Sequence, residues 1–70
     1  MRTGAEVRKL REKLGMNQTD FWSRVSVQQS AASRYETGRS IPEPVQVLLT
    51  LVYGTDKQAA VAFAALRKQP

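Results

Sequence analysis

Helix start and stop signals recur about every ten residues along this chain, a spacing that leaves room only for short helices. Thr3 followed by Glu6 has capping-box spacing, and Gly15 offers the matching stop. Asn17 reopens as an N-cap, with Asp20 three residues later to favour the free N–H groups and the helix dipole. Gly38 closes another segment. Pro44 suits a first turn, where its missing N–H costs nothing, and Gly54 is a C′ candidate ahead of the caps Thr55 and Asp56. Between these marks the apolar residues recur at helical period: Val7, Leu10 and Leu14; Phe21, Trp22 and Val25; Ala31, Ala32 and Tyr35; Val45, Leu48, Leu49 and Val52; Ala59, Ala60, Phe63 and Leu66. The pattern predicts helices over 4–14, 18–25, 28–37, 43–53 and 56–68. No sustained alternation and no hairpin turn signals a strand. The fold class is all-α, five short helices in a single domain over 1–70.

Composition removes most chemistry. The 70 residues contain no cysteine and no histidine, so disulfides, the usual zinc sites, thiol nucleophiles and imidazole bases are all excluded. No glycine-rich phosphate loop and no paired carboxylates at a motif-like spacing remain. We therefore expect neither an enzyme nor a metal or cofactor. Eleven Lys and Arg against six Asp and Glu give a formal charge of +5, which points to a polyanionic partner. The longest apolar run, Ala59 to Leu66, is too short to span a bilayer, and the N-terminus becomes charged before any apolar run begins. A cytoplasmic, bacterial or phage-encoded protein is the expectation, and the sequon Asn17-Gln18-Thr19 is read as accidental.

Two short helices joined by a tight turn in a basic domain suggest helix-turn-helix. Residues 16–42 carry the likeness further. Asn17-Gln18-Thr19 matches the opening of a first motif helix, and Ser33-Arg34-Tyr35-Glu36-Thr37-Gly38-Arg39 matches a recognition-helix ending. In these segments the chain resembles the phage-repressor-like (Xre or Cro type) DNA-binding family, whose lambda-repressor-like fold would cover roughly residues 4–53. Phe21, Val25, Val27 and Tyr35 sit at that family's apolar positions. Three residues depart from it. Ser26 stands where a turn glycine is usual, Trp22 where a small alanine is usual, and Ala32 where a larger Ile or Val packs. Trp22 and Ala32 are expected to compensate, the indole filling the volume the small side chain vacates.

The resemblance places the helix over 28–37 in the major groove, where each base pair displays a distinct donor and acceptor pattern. Its N-terminal side chains Gln28, Gln29 and Ser30 would reach base edges, with Ser33 and Arg34 one turn later. Glutamine can pair with adenine twice, and arginine can take guanine or a phosphate. Gln18 corresponds to a family glutamine that contacts phosphate and braces the recognition helix, here through Gln29. Thr37, Arg39 and Ser40, in or just before the following loop, are expected backbone contacts. Glu36 would repel phosphate, so its implied role is a structural ion pair with Arg11.

Helices four and five carry apolar faces beyond one core stripe, including Val47 and Leu51, which admits two readings. The last helix either closes the core of a monomer or forms a homodimer whose recognition helices lie about 34 Å apart on a palindrome. The function expected is a sequence-specific double-stranded DNA-binding transcriptional regulator, a repressor, since repression needs only promoter occupancy. The alternative is a protein-interaction or antitoxin-type module with weak or non-specific DNA binding.

Overall fold

The computed structural model describes residues 3–68; the expected single domain over 1–70 also includes Met1, Arg2, Gln69 and Pro70, which lie outside the described residues. Its elements are α1 (Gly4–Lys13), α2 (Gln18–Ser23), α3 (Gln29–Glu36), α4 (Glu43–Tyr53) and α5 (Asp56–Lys68), with no strand among the described residues. The all-α, five-helix expectation holds, and the first three elements trim the expected ranges by one or two residues at their ends.

The caps act as their chemistry dictates. Thr3 Oγ1 accepts from the Glu6 N–H at 3.1 Å, and Asn17 Oδ1 accepts from the Asp20 N–H at 2.8 Å. Thr55 and Gln58 close a reciprocal box: the Gln58 N–H donates to Thr55 Oγ1 at 3.1 Å, and the Thr55 N–H donates to Gln58 Oε1 at 3.0 Å. Gly15 and Gly38 hold φ of +70° and +123°, the region that side chains resist, and so turn the chain after α1 and α3. Ser26 holds φ of +61° between α2 and α3, at a cost of roughly 1 kcal/mol for a residue with a Cβ. Gly54 caps α4 in an extended conformation, not the left-handed one a C′ glycine usually takes.

One core joins α1 to α4. Val7, Phe21, Trp22, Val25, Ala32, Ile41 and Leu49 are buried, and each large side chain among them stabilises by about 1.5–3 kcal/mol. Trp22 is fully buried, as is Ala32, consistent with an indole occupying volume the small residue leaves. The Phe21 ring stacks on Tyr53 at 4.0 Å, and Trp22 meets Phe21 edge-on at 5.8 Å. The Tyr53 hydroxyl donates to the Phe21 carbonyl at 2.6 Å, tying the end of α4 to α2. Gly4 sits against the Tyr35 carbonyl so closely that any Cβ would collide with α3 backbone.

Three apolar expectations are corrected. Leu14 is the C-cap of α1, beyond the part of that helix which neighbours cover, and it is exposed. On α4 the inward line runs Val45–Leu49–Tyr53; Leu48 and Val52 lie about 100° around the helix from Leu49 and Tyr53 and face outward. In α5, which packs on α4, Ala60, Phe63 and Leu66 of the expected apolar stripe are exposed and Ala59 is half-buried.

Candidate nucleic-acid interface

The bihelical unit α2–α3 is held in place by one carboxylate. Glu36, at the end of α3, receives Arg11 of α1 through two parallel bonds, Nε to Oε2 and Nη2 to Oε1, each 2.9 Å. Trp22 of α2 donates its indole N–H to the same Oε2 at 2.7 Å. Arg11 Nη1 also donates to the Met16 carbonyl at 3.1 Å, fixing the link that enters α2. Three helices therefore meet at a side chain that is 3% exposed.

Burial pushes the Glu36 carboxyl up, but hydrogen bonding from Arg11, Trp22 and Gln18, with the Arg11 charge, outweighs it and leaves the group below its ordinary value. The Glu36 hydrogen bond in turn raises Arg11 against desolvation. Both groups stay charged, so the expected Arg11–Glu36 pair is present. The indole bond was not foreseen: no sequence spacing links Trp22 to Glu36, because it depends on how the ring turns inside the core.

This frame presents the start of α3. Gln28 is the N-cap with its side chain uncommitted, and Gln28, Gln29 and Ser30 are all exposed. Gln29 Nε2 donates to Gln18 Oε1 at 3.0 Å, the bracing contact that the family likeness implied. One Nε2 hydrogen and the Oε1 of Gln29 remain free, the pair of groups a glutamine needs to meet adenine. Ser33, one turn further, is half-buried, while Arg34 is exposed.

Beyond α3 the chain doubles back at Gly38, and the Arg39 N–H donates to the Arg34 carbonyl at 3.0 Å. Arg39 and Ser40 are exposed beside Arg34. Thr37 is different in kind. Its hydroxyl lies 2.9 Å from the Ser33 carbonyl and 3.1 Å from that of Arg34, so its proton serves the end of α3. No carboxylate forms a salt bridge with Arg34 or Arg39 among the described residues. No group of residues suited to a metal ion occurs among them either, and no helix is long and apolar enough to cross a membrane.

Further apolar side chains are exposed on α4 and α5: Leu48 and Val52 of α4, with Val61, Phe63 and Leu66 of α5. Leu48 and Leu66, with Pro44, Val47 and Leu51, line an open, mainly apolar groove of about 400 Å³ between the two helices, with Glu43 in its lining.

Comparison with known proteins gives one family. The model for the RsaL-like HTH domain matches residues 8–52, well over half of the chain and the whole of α2 and α3. No curated protein and no solved structure matches. The chain belongs to the RsaL-like helix-turn-helix domain family.

Proposed function

We propose that this RsaL-like helix-turn-helix domain is a sequence-specific regulator of transcription that reads the major groove of double-stranded DNA with α3 and acts as a repressor. The observation that carries the reading is the Gln18–Gln29 pair: an exposed amide at the first turn of α3, already held in one orientation. A preorganised amide loses less freedom on meeting a base edge than a free one. The charge of +5 supplies sequence-independent attraction, and Gln28, Gln29, Ser30 and Ser33 are the candidates for base contact. Within the broad class, the Gln18–Gln29 and Arg11–Glu36 pairs favour the phage-repressor type, and a cytoplasmic site of action follows from that role.

The functional unit is a homodimer through α4 and α5. The exposed apolar groove between those helices supports this, because small proteins rarely leave such a face in water. The same face gives the second reading its one observation: a protein-interaction or antitoxin-type module would cover it with a different partner.

Selection from a random duplex pool at about 150 mM salt, with wild type and Gln29→Ala, tests the function. The expected result is an enriched palindrome, with half-sites about one helical turn apart, lost or altered in the variant. Enrichment of no sequence, with salt-sensitive binding to every duplex, would reduce the role to backbone contact. Absence of any duplex binding would overturn the reading in favour of the protein partner.

A further inference from the structure

A carboxylate offers about four lone-pair positions and has no proton to give. On Glu36, Oε2 accepts from Arg11 Nε at 2.9 Å and from the Trp22 indole N–H at 2.7 Å, and Oε1 accepts from Arg11 Nη2 at 2.9 Å. One position is left over, and the Gln18 side chain is the further donor to this carboxylate. Only Nε2 of a glutamine can donate, so Gln18 keeps its Oε1 for Gln29, whose Nε2 donates to it at 3.0 Å. These bonds run along one seam. Gln18 and Trp22 stand about one turn apart on α2, and Gln29 and Glu36 about two turns apart on α3, so each pair shares a face of its helix.

The seam decides the sense of two amides. A glutamine turned by about 180° at its last bond exchanges donor for acceptor with almost no change of shape, so packing alone does not choose between the two. The carboxylate does. In the other sense, Gln18 would set its Oε1 against the Glu36 oxygens, acceptor against acceptor, at a half-buried site where water screens the repulsion poorly. With Gln18 held this way, Gln29 must donate to it. What Gln29 keeps for a partner is then its Oε1 and one N–H, the set that matches the N6 donor and N7 acceptor of adenine. Reversing both amides would leave Gln29 with two free N–H groups, the set that matches N7 and O6 of guanine.

We infer that Glu36 is a positioning residue for recognition: through Gln18 it fixes which way the Gln29 amide points, and so selects adenine over guanine opposite that side chain. This role rests on the DNA-reading function proposed above and deepens it by naming what orients the reader. The Arg11–Glu36 and Gln18–Gln29 pairs each join helices, but only their junction at Gln18 carries the polarity of a buried charge out to the exposed start of α3.

Two measurements test the role, the first without DNA. In the free protein, the Gln18 side-chain amide protons and the Trp22 indole proton converge on one carboxylate. A nuclear Overhauser contact between them is therefore expected in wild type and lost in Glu36→Gln, and its absence from wild type overturns the assignment. The second is selection from a random duplex pool with wild type, Glu36→Gln and Trp22→Phe, each shown to be folded by circular dichroism. Wild type should favour adenine over guanine at the Gln29 position by about tenfold or more, the worth of a bidentate pair. Glu36→Gln places an amide that both accepts and donates beside Gln18, and should bring that ratio close to parity. Trp22→Phe deletes a donor but keeps the charge, so it should weaken binding to every duplex alike and leave the preference in place. If Glu36→Gln weakens every duplex alike and keeps the adenine preference, Glu36 is structural only and the inference is overturned. The same follows if Trp22→Phe erases the preference as fully. Should Glu36→Gln fail to fold, the wild-type amide contact and a wild-type preference for adenine still decide. Failure of wild type to bind any duplex sinks the DNA-reading function itself, while the amide contact shows separately whether Gln18 is held by the carboxylate.

Discussion

The α1–α3 unit and the α4–α5 hairpin use similar apolar content to opposite effect. In the first, nearly every large side chain is committed: Val7, Phe21, Trp22 and Val25 are buried, and the polar groups among them bond to one another. No buried polar side-chain atom lacks a partner among the described residues. In the second, only Leu49 is buried, and Phe63 is 54% exposed. The contrast teaches that helical periodicity alone does not mark a core. A stripe becomes core only where a neighbour covers it, and on the hairpin much of the stripe is left exposed.

Trp22→Ala should have the largest effect, a loss of roughly 3–5 kcal/mol by urea or thermal melting, because it opens a cavity and removes a donor from Glu36. A loss below about 1 kcal/mol would show that the first unit is no better committed than the second, and would break the comparison. Glu36→Ala should follow at about 3 kcal/mol, since it leaves the largely covered Arg11 without its carboxylate and the indole N–H without an acceptor. The same carboxylate sets an acid limit. Its folded value is depressed, so its stabilisation is present above the ordinary carboxylate range and is lost as pH falls through the folded value. Glu36→Gln should flatten that part of the stability–pH curve, measured by melting at a series of acidic pH values.

The committed unit was also the more legible one, for physical reasons. Capping is local chemistry, so Thr3, Asn17 and Thr55 are legible directly, whereas the left-handed turn at Ser26 comes through the family likeness, which has a turn glycine there. The Arg11–Glu36 and Gln18–Gln29 pairs came through family likeness, not through spacing, since 25 and 11 residues separate their members. By sequence Ile41 falls between helical segments with no apolar period to mark it, and Gly4 carries no signal of close packing. The burial of one and the close approach of the other to Tyr35 are set by where distant backbone arrives. Leu48 and Leu49 show the same limit on α4: adjacent leucines point about 100° apart, and only tertiary packing says which one faces inward. In the candidate interface, Gln28, Gln29, Ser30 and Arg34 were legible as residues, but the commitment of the Thr37 hydroxyl was not.

Tyr53 is where the two regions meet, and its removal should cost an intermediate amount. Tyr53→Phe keeps the stack on Phe21 and deletes only the bond to the Phe21 carbonyl, a loss of about 1 kcal/mol by melting. Burial raises the Tyr53 hydroxyl, so its contribution is present below the ordinary tyrosine range and fades as pH climbs through the raised value. Tyr53→Phe should remove that alkaline dependence.

The smallest expected effect sharpens the comparison most. Phe63→Ala removes a ring that is over half exposed and that the Arg67 guanidinium faces at 5.7 Å from its centroid. In a dilute monomer the change should therefore stay within about 0.5 kcal/mol. If α4 and α5 form the homodimer interface, the wild-type melting temperature rises with protein concentration, because association stabilises the folded state by mass action. Phe63→Ala should then abolish that rise while leaving the dilute melting temperature unchanged. A loss of several kcal/mol at the lowest concentration would mean that the ring is core after all, and that the hairpin differs from the first unit only in degree. A near-zero loss together with a lost concentration dependence would locate the work of this apolar face between molecules, where its sequence pattern, unlike that of α1–α3, finds its cover.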